Sequence, residues 1–218
     1  MLNAEAASGL YVKGSNLFDA NGNRLVLRGV NISHAWYSGS TMNNISKARS
    51  YGCNAVRIVC ADGQRWSKTD YNTLKNIIQT CVNNGLICVL EVHDTTDSDS
   101  VSSLNAAVNY WKEMKSLLNQ YSKYVIVNIA NEWMASWEMG ADWQSGYINA
   151  VRSLRNAGIT NVLMVDAPGY AQEVNAMYQY CRGVRDADTT GNIMFSIHMY
   201  ADAGKDAATV KSGIDAAY

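Results

Sequence analysis

The sequence holds one proline, two phenylalanines and three histidines. It has no apolar run near the roughly 20 residues that span a bilayer, so no membrane segment is expected. Its 18 basic residues are spread out and the net charge is −1, so no nucleic-acid footprint is visible. No C-x-x-C pair occurs among Cys53, Cys60, Cys81, Cys88 and Cys181, which argues against a structural zinc site. Five thiols cannot all pair. Most lie in or beside apolar stretches, so buried free thiols are expected, with room for one disulfide. Residues Met1 to Ser8 lack the apolar core of a secretory signal. No linker or composition shift marks a second domain, and residues 1–218 are expected to form one. Six tryptophans and 13 tyrosines stand against these absences. Such rings, apolar in face and polar at the tip, suit packing, interfaces and sugar stacking.

The chain opens with strand pieces at Tyr11-Val12 and Leu17-Phe18, then the Asn-Gly turn of Asp19 to Asn23, which predicts a β-hairpin structure. One unit then repeats: a short apolar strand, a polar loop, a helical pattern. The strands are Leu27–Val30, Ala55–Val59, Ile87–Glu91, Val125–Ile129, Val162–Val165 and Met194–Ile197. Their spacing, near 30 residues, is that of a βαβ unit. Nearly continuous apolar cores, as in Val125-Ile126-Val127, fit parallel strands covered on both faces. Between them, Leu74, Ile77, Ile78, Cys81 and Val82 form one helical stripe. Leu104 to Tyr121 forms a second, and Trp143, Tyr147, Val151 and Leu154 a third. Asp206 to Tyr218 reads as a last helix with Val210 and Ile214 facing inward. Strict β/α alternation without a G-x-G-x-x-G loop after the first strand favours an α/β fold of the (β/α)8 barrel type over a dinucleotide-binding sheet. About six β/α units are expected here, since a whole barrel takes about 250 residues.

Barrel chemistry collects where strands end. Here those ends carry Asn31, His34 and Trp36; Arg57; Glu91, His93 and Asp94; Asn131, Glu132 and Trp133; Asp166, at the rim; and His198 and Tyr200. Each has a plain structural reading. Arg57 can be a buried ion-pair partner of Glu91. Asn131 can be a helix cap and Glu132 a first-turn residue. His93 and His198 can be core histidines, and Trp36 and Trp133 packing residues. Gathered on consecutive strand ends, they favour a site. Glycoside cleavage needs one carboxylic acid to protonate the leaving oxygen and a second carboxylate at the anomeric carbon.

Six stretches carry a closer likeness: Leu17–Asn23, Leu27–Asn31, Val56–Val59, Val89–Thr95 (V-L-E-V-H-D-T), Val127–Trp133 (V-N-I-A-N-E-W) and Met194–Tyr200 (M-F-S-I-H-M-Y). In that order they resemble glycoside hydrolase family 5 of clan A, and most closely its bacterial endo-β-1,4-mannanases. The resemblance implies a retaining hydrolase of mannan or glucomannan, secreted, without cofactor or metal. It implies that Glu132 is the acid/base and Asn131 the ligand of the sugar 2-hydroxyl. It makes Arg57 the arginine that keeps the nucleophile ionised, His198 a neighbour of the acid/base and Tyr200 the residue that orients the nucleophile. His93, His34, Trp36, Trp66 and Trp133 would line the substrate groove. Two positions depart from the pattern: Ala201 follows Tyr200 where a glutamate is common, and Tyr170 stands where a tryptophan is usual. The family's nucleophile lies on a seventh strand, and no carboxylate before Tyr218 matches it. Six strands would leave two open edges, which invites self-association. A cellulase of the same family and a non-catalytic sugar-binding barrel fragment remain as alternatives. So does a metal hydrolase using His34, His93 and His198, which the lack of an H-x-H pair disfavours.

Overall fold

The computed structural model describes residues 9–217. Met1–Ser8, where a signal core was sought, and Tyr218 lie outside them. Six parallel strands follow one another in space as they do in sequence: β4 (Gly29–Ile32), β5 (Ala55–Cys60), β6 (Ile87–Val92), β7 (Val125–Asn128), β8 (Val162–Asp166) and β9 (Ile193–Ser196). A doubly wound sheet reverses its strand order at a switch point. This one never does, as in a barrel wall. Helices cover one face: α1 (Thr41–Ser50), α2 (Tyr71–Asn83), α3 (Val101–Glu113), α4 (Lys115–Gln120), α5 (Gly140–Asn156), the single turn α6 (Pro168–Ala171), α7 (Val174–Asp186) and α8 (Ala207–Ala217). No helix of the described residues is long and apolar enough to cross a membrane.

The two faces of the wall follow from strand alternation. Val56, Ile58, Cys60, Leu90, Val127 and Leu163 point outward and pack with the helices in the main core. Val89, Ile126, Val162 and Met164 point inward, where they meet Leu10 and Leu17. Those two come from the N-terminal segment, whose β1 (Tyr11–Lys13), β2 (Asn16–Phe18) and β3 (Arg24–Leu25) form an antiparallel sheet closing the lower end. The expected hairpin thus has a third strand. Further along the same inward faces the residues turn polar: Arg57, Glu91, Asn128 and Asp166.

Some local expectations are corrected. The first barrel strand runs two residues later than Leu27–Val30. The long stripe beginning at Leu104 divides at Met114, whose N–H is shared between the carbonyls of Tyr110 and Trp111 and tightens the turn. Ile214 is 43% exposed and does not face inward. All five cysteines are free, with Cys60, Cys81 and Cys88 buried, and burial drives the Cys60 and Cys88 thiols well above their usual range.

Candidate active site

Past β7 the chain does not enter a helix. Asn131 and Glu132 sit in a turn, and α5 begins only at Gly140. The cap and first-turn readings of these two residues therefore fall. Glu132 adopts φ +48°, a left-handed conformation that L side chains visit at a cost of order 1–3 kcal/mol. Asp166 from the end of β8 holds it there, accepting the Glu132 N–H at 3.1 Å. His198, just past β9, lies between the two carboxylates. Its Nδ1 is 2.7 Å from Glu132 Oε1 and its Nε2 3.5 Å from Asp166 Oδ2. Burial pulls the His198 pKa down, but the Asp166 charge and the Glu132 bond outweigh it and raise the net value.

Arg57 anchors the other side. Its Nη2 donates to Asn128 Oδ1 at 2.6 Å and to Asn131 Oδ1 at 2.8 Å. It also lies 3.4 Å from Glu91 Oε1 and 3.6 Å from Asp166 Oδ2, both carboxylates having no exposed surface. Its pairing with Glu91 is therefore real, and the arginine still lines the cleft. Asn131 is held by its own N–H to Val92 O and by its Nδ2 to Thr96 Oγ1. One amide N–H is left over for a ligand.

These groups open into a cleft of about 820 Å³, lined by Arg57, His93, Asn131, Glu132, His198 and Tyr200 with Trp36 at its side. Among the described residues lining it, Glu132 is the sole carboxylate. His93 is fixed by Glu91, whose Oε1 is 2.9 Å from its Nδ1. Trp36 and Trp66 meet edge to face at 5.3 Å, and both touch the His93 ring, forming an aromatic corner.

Two expected groove residues are elsewhere. Trp133 is wholly buried; its ring packs on Tyr147, its Nε1 donates to Ser100 O, and a Cβ on Gly146 would come within 2.2 Å of it. It is a core residue. His34 is buried against Thr41 Oγ1 at 2.9 Å, and burial lowers its pKa. The three histidines thus bond three different partners and do not converge. Asp166 is likewise no rim residue, since strand alternation turns it inward under the cleft.

Asp94, one of the strand-end residues, serves the site indirectly. It is buried and accepts the Arg65 N–H at 2.7 Å, the Trp66 N–H at 3.4 Å and the Asp62 N–H at 3.1 Å, so it pins the loop that carries Trp66. Burial, with Asp94 close by, raises Asp62 to about 6; Gln64 N–H and Lys68 oppose the shift. The folded loop therefore holds the Asp62 proton more tightly than the unfolded chain does. The stability this adds is complete below about pH 3.8 and lost as pH rises through about 6. Asp62→Asn stays neutral throughout. The melting temperature of the native protein minus that of the variant is expected to fall between pH 4 and 6 and level off above. Parallel curves from thermal unfolding at each pH would remove the assignment.

A parallel wall whose upper rim carries a carboxylate, an arginine and a histidine beside an aromatic corner defines a barrel of the glycoside-hydrolase type. The comparisons agree. Residues 18–217 match the family described as Cellulase (glycosyl hydrolase family 5). The mannan endo-1,4-beta-mannosidase of Salipaludibacillus agaradhaerens is 47% identical over 208 residues, 95% of this chain and 67% of the relative. The catalytic domain of a mannanase from Streptomyces sp. SirexAA-E superposes with a TM-score of 0.89 at 38% identity, covering 99% of this chain and 69% of that one. The mannohexaose complex of Thermomonospora fusca β-mannanase gives 0.89 at 40%, covering 96% and 72%. The chain belongs to glycoside hydrolase family 5, and its six strands are six of the barrel's eight. It spans about two thirds of the first relative's length.

Proposed function

We propose that this chain provides the substrate cleft and the acid/base residue of a retaining endo-β-1,4-mannanase. The observation that carries the reading is Glu132 in a strained turn at the cleft, held by His198 at its carboxyl and by Asp166 at its backbone. With Oε1 engaged by His198, the carboxyl's other oxygen is left for the leaving glycosidic oxygen. His198 and Asp166 hold the group in place while it gives up a proton and later recovers it from water, the exchange that retention requires.

The second carboxylate of a retaining pair belongs about 5–5.5 Å from the first, across the sugar. Glu91 and Asp166 are committed to Arg57 and the two imidazoles beneath the cleft floor. The nucleophile therefore falls to no described residue. Arg57 Nε is buried without an acceptor among the described residues, which suits an arginine with a further carboxylate to hold. Asn131 and the Trp36–Trp66–His93 corner are assigned to the sugar, and Tyr200 to the far wall. Similarity to mannanases at 38–47% identity supports mannan over cellulose. A polymeric substrate is met outside the cell, so the reading also takes the protein to be secreted.

Calorimetric titration with mannohexaose and cellohexaose, beside product analysis from β-mannan, tests this. Tighter binding of mannohexaose is expected and, where the second carboxylate is also supplied, internal cleavage with a β-configured new reducing end. Preference for cellohexaose would turn the reading to the cellulase alternative. Binding without any release would leave a sugar-binding protein. No binding of either sugar would end the proposal.

A further inference from the structure

Beside the cleft lies a second cavity of about 640 Å³, and Met199 lines both. Its main apolar wall is Trp137, 54% exposed, in the loop between β7 and α5. A large ring left in solvent is usually mobile or covered. This one is seated. The fused bond of its indole lies over Gly169, where an added Cβ would sit 3.1 Å from ring atoms Cδ2 and Cε2. Gly169 also has φ +62°, so a side chain there would be strained as well as crowded.

The loop that carries the ring is tied by three hydrogen bonds to two segments, around Asp99 and from Gly169 to Glu173. Gly169 N–H donates to Met134 O at 2.9 Å, Ser136 N–H to Asp99 Oδ1 at 2.9 Å, and Glu138 N–H to Glu173 Oε2 at 3.1 Å. Met134 and Glu138 both hold positive φ, +67° and +65°. Strain of this kind persists only where surrounding contacts impose it, and it gathers at functional sites. The other walls bring hydrogen-bonding side chains: Gln172, Asn175, Asp202 and Ser212. One fixed aromatic face with several polar groups around it matches a pyranose ring, which has an apolar C–H face and a hydroxyl edge.

We propose that Trp137 and this cavity form a further sugar subsite, taking units of a β-1,4-linked mannan chain beyond those held over Glu132. Met199 is shared by the walls of the two cavities, and this adjacency is what names the occupant: a chain leaving the cleft on that side is carried past Met199 toward the ring. The proposal rests on the mannanase reading above.

Titration of the 218-residue chain and of Trp137→Ala with mannotriose and mannohexaose tests it. The variant is expected to lose about tenfold in affinity for mannohexaose, the worth of one aromatic contact, with mannotriose unchanged. Trp137→Phe should recover most of the loss. Since the ring is largely exposed, the melting temperature should stay with that of the native protein. Equal loss for both sugars, or none for either, overturns the subsite while leaving the mannanase reading intact. Failure of the native chain to bind either sugar overturns both.

Discussion

Arg57→Ala is expected to lower the melting temperature by roughly 6–20 °C. The variant removes the one cation that lies between Glu91 and Asp166, both wholly buried. Taking away one partner of a buried ion pair costs about 3–5 kcal/mol, because the partner left behind is a buried charge without its permanent counter-ion. For a domain of this size each kcal/mol shifts the transition by about 2–4 °C. Two asparagines also lose their donor, which adds to the cost. Arg57→Lys should fall between, since it keeps the charge and loses the fork that reaches Asn128 and Asn131 together. The check is thermal unfolding by circular dichroism near neutral pH. An alanine variant melting within about 3 °C of the native protein would mean that Arg57 does not hold the floor of the cleft together.

Where the second carboxylate is also supplied, Glu132→Gln is expected to cost about 10²–10⁴-fold in reducing-sugar release from β-mannan, the usual share of a positioned acid/base group. Glutamine is nearly isosteric and can still accept from His198. It cannot give a proton to the leaving oxygen. Mannohexaose binding should therefore change little while turnover collapses, and the split between the two readouts separates chemistry from a damaged fold. Equal, measurable rates for the variant and native protein would strip Glu132 of the role. Asp166→Asn would affect the same residue indirectly, through the Glu132 backbone and the His198 charge, so it is the less decisive substitution.

The order of the elements was legible from the residues. Parallel strands reveal themselves as continuous apolar runs, and a regular β/α spacing admits few arrangements. Strand ends were legible for the same reason: Asn131-Glu132 and His198 follow their apolar runs directly, and a barrel brings such ends to one rim. The pairing of Arg57 with Glu91 followed from the cost of burying either alone. The family resemblance was carried by short stretches at these same ends, where chemistry restricts the choice of residue.

What the sequence by itself determined, then, is the succession of strands and which residues reach the upper rim, because both depend on period and burial along the chain. The tertiary structure alone decided which way each rim residue faces and what it touches. Trp133 and Trp137 stand four positions apart with the same chemistry. One is locked against Gly146 in the core and the other rests on Gly169 in solvent, since the turn through left-handed Glu132 and Met134 sends them in opposite directions. His34 and His198 look alike in the sequence and differ by whether a threonine or two carboxylates lie opposite. Asp166 was seen as a rim residue, yet it faces inward, tying the Glu132 backbone to the Arg57 charge. Contacts between residues 34 and 109 positions apart are set by the order and registry of neighbouring strands, and local patterns of residues do not encode them.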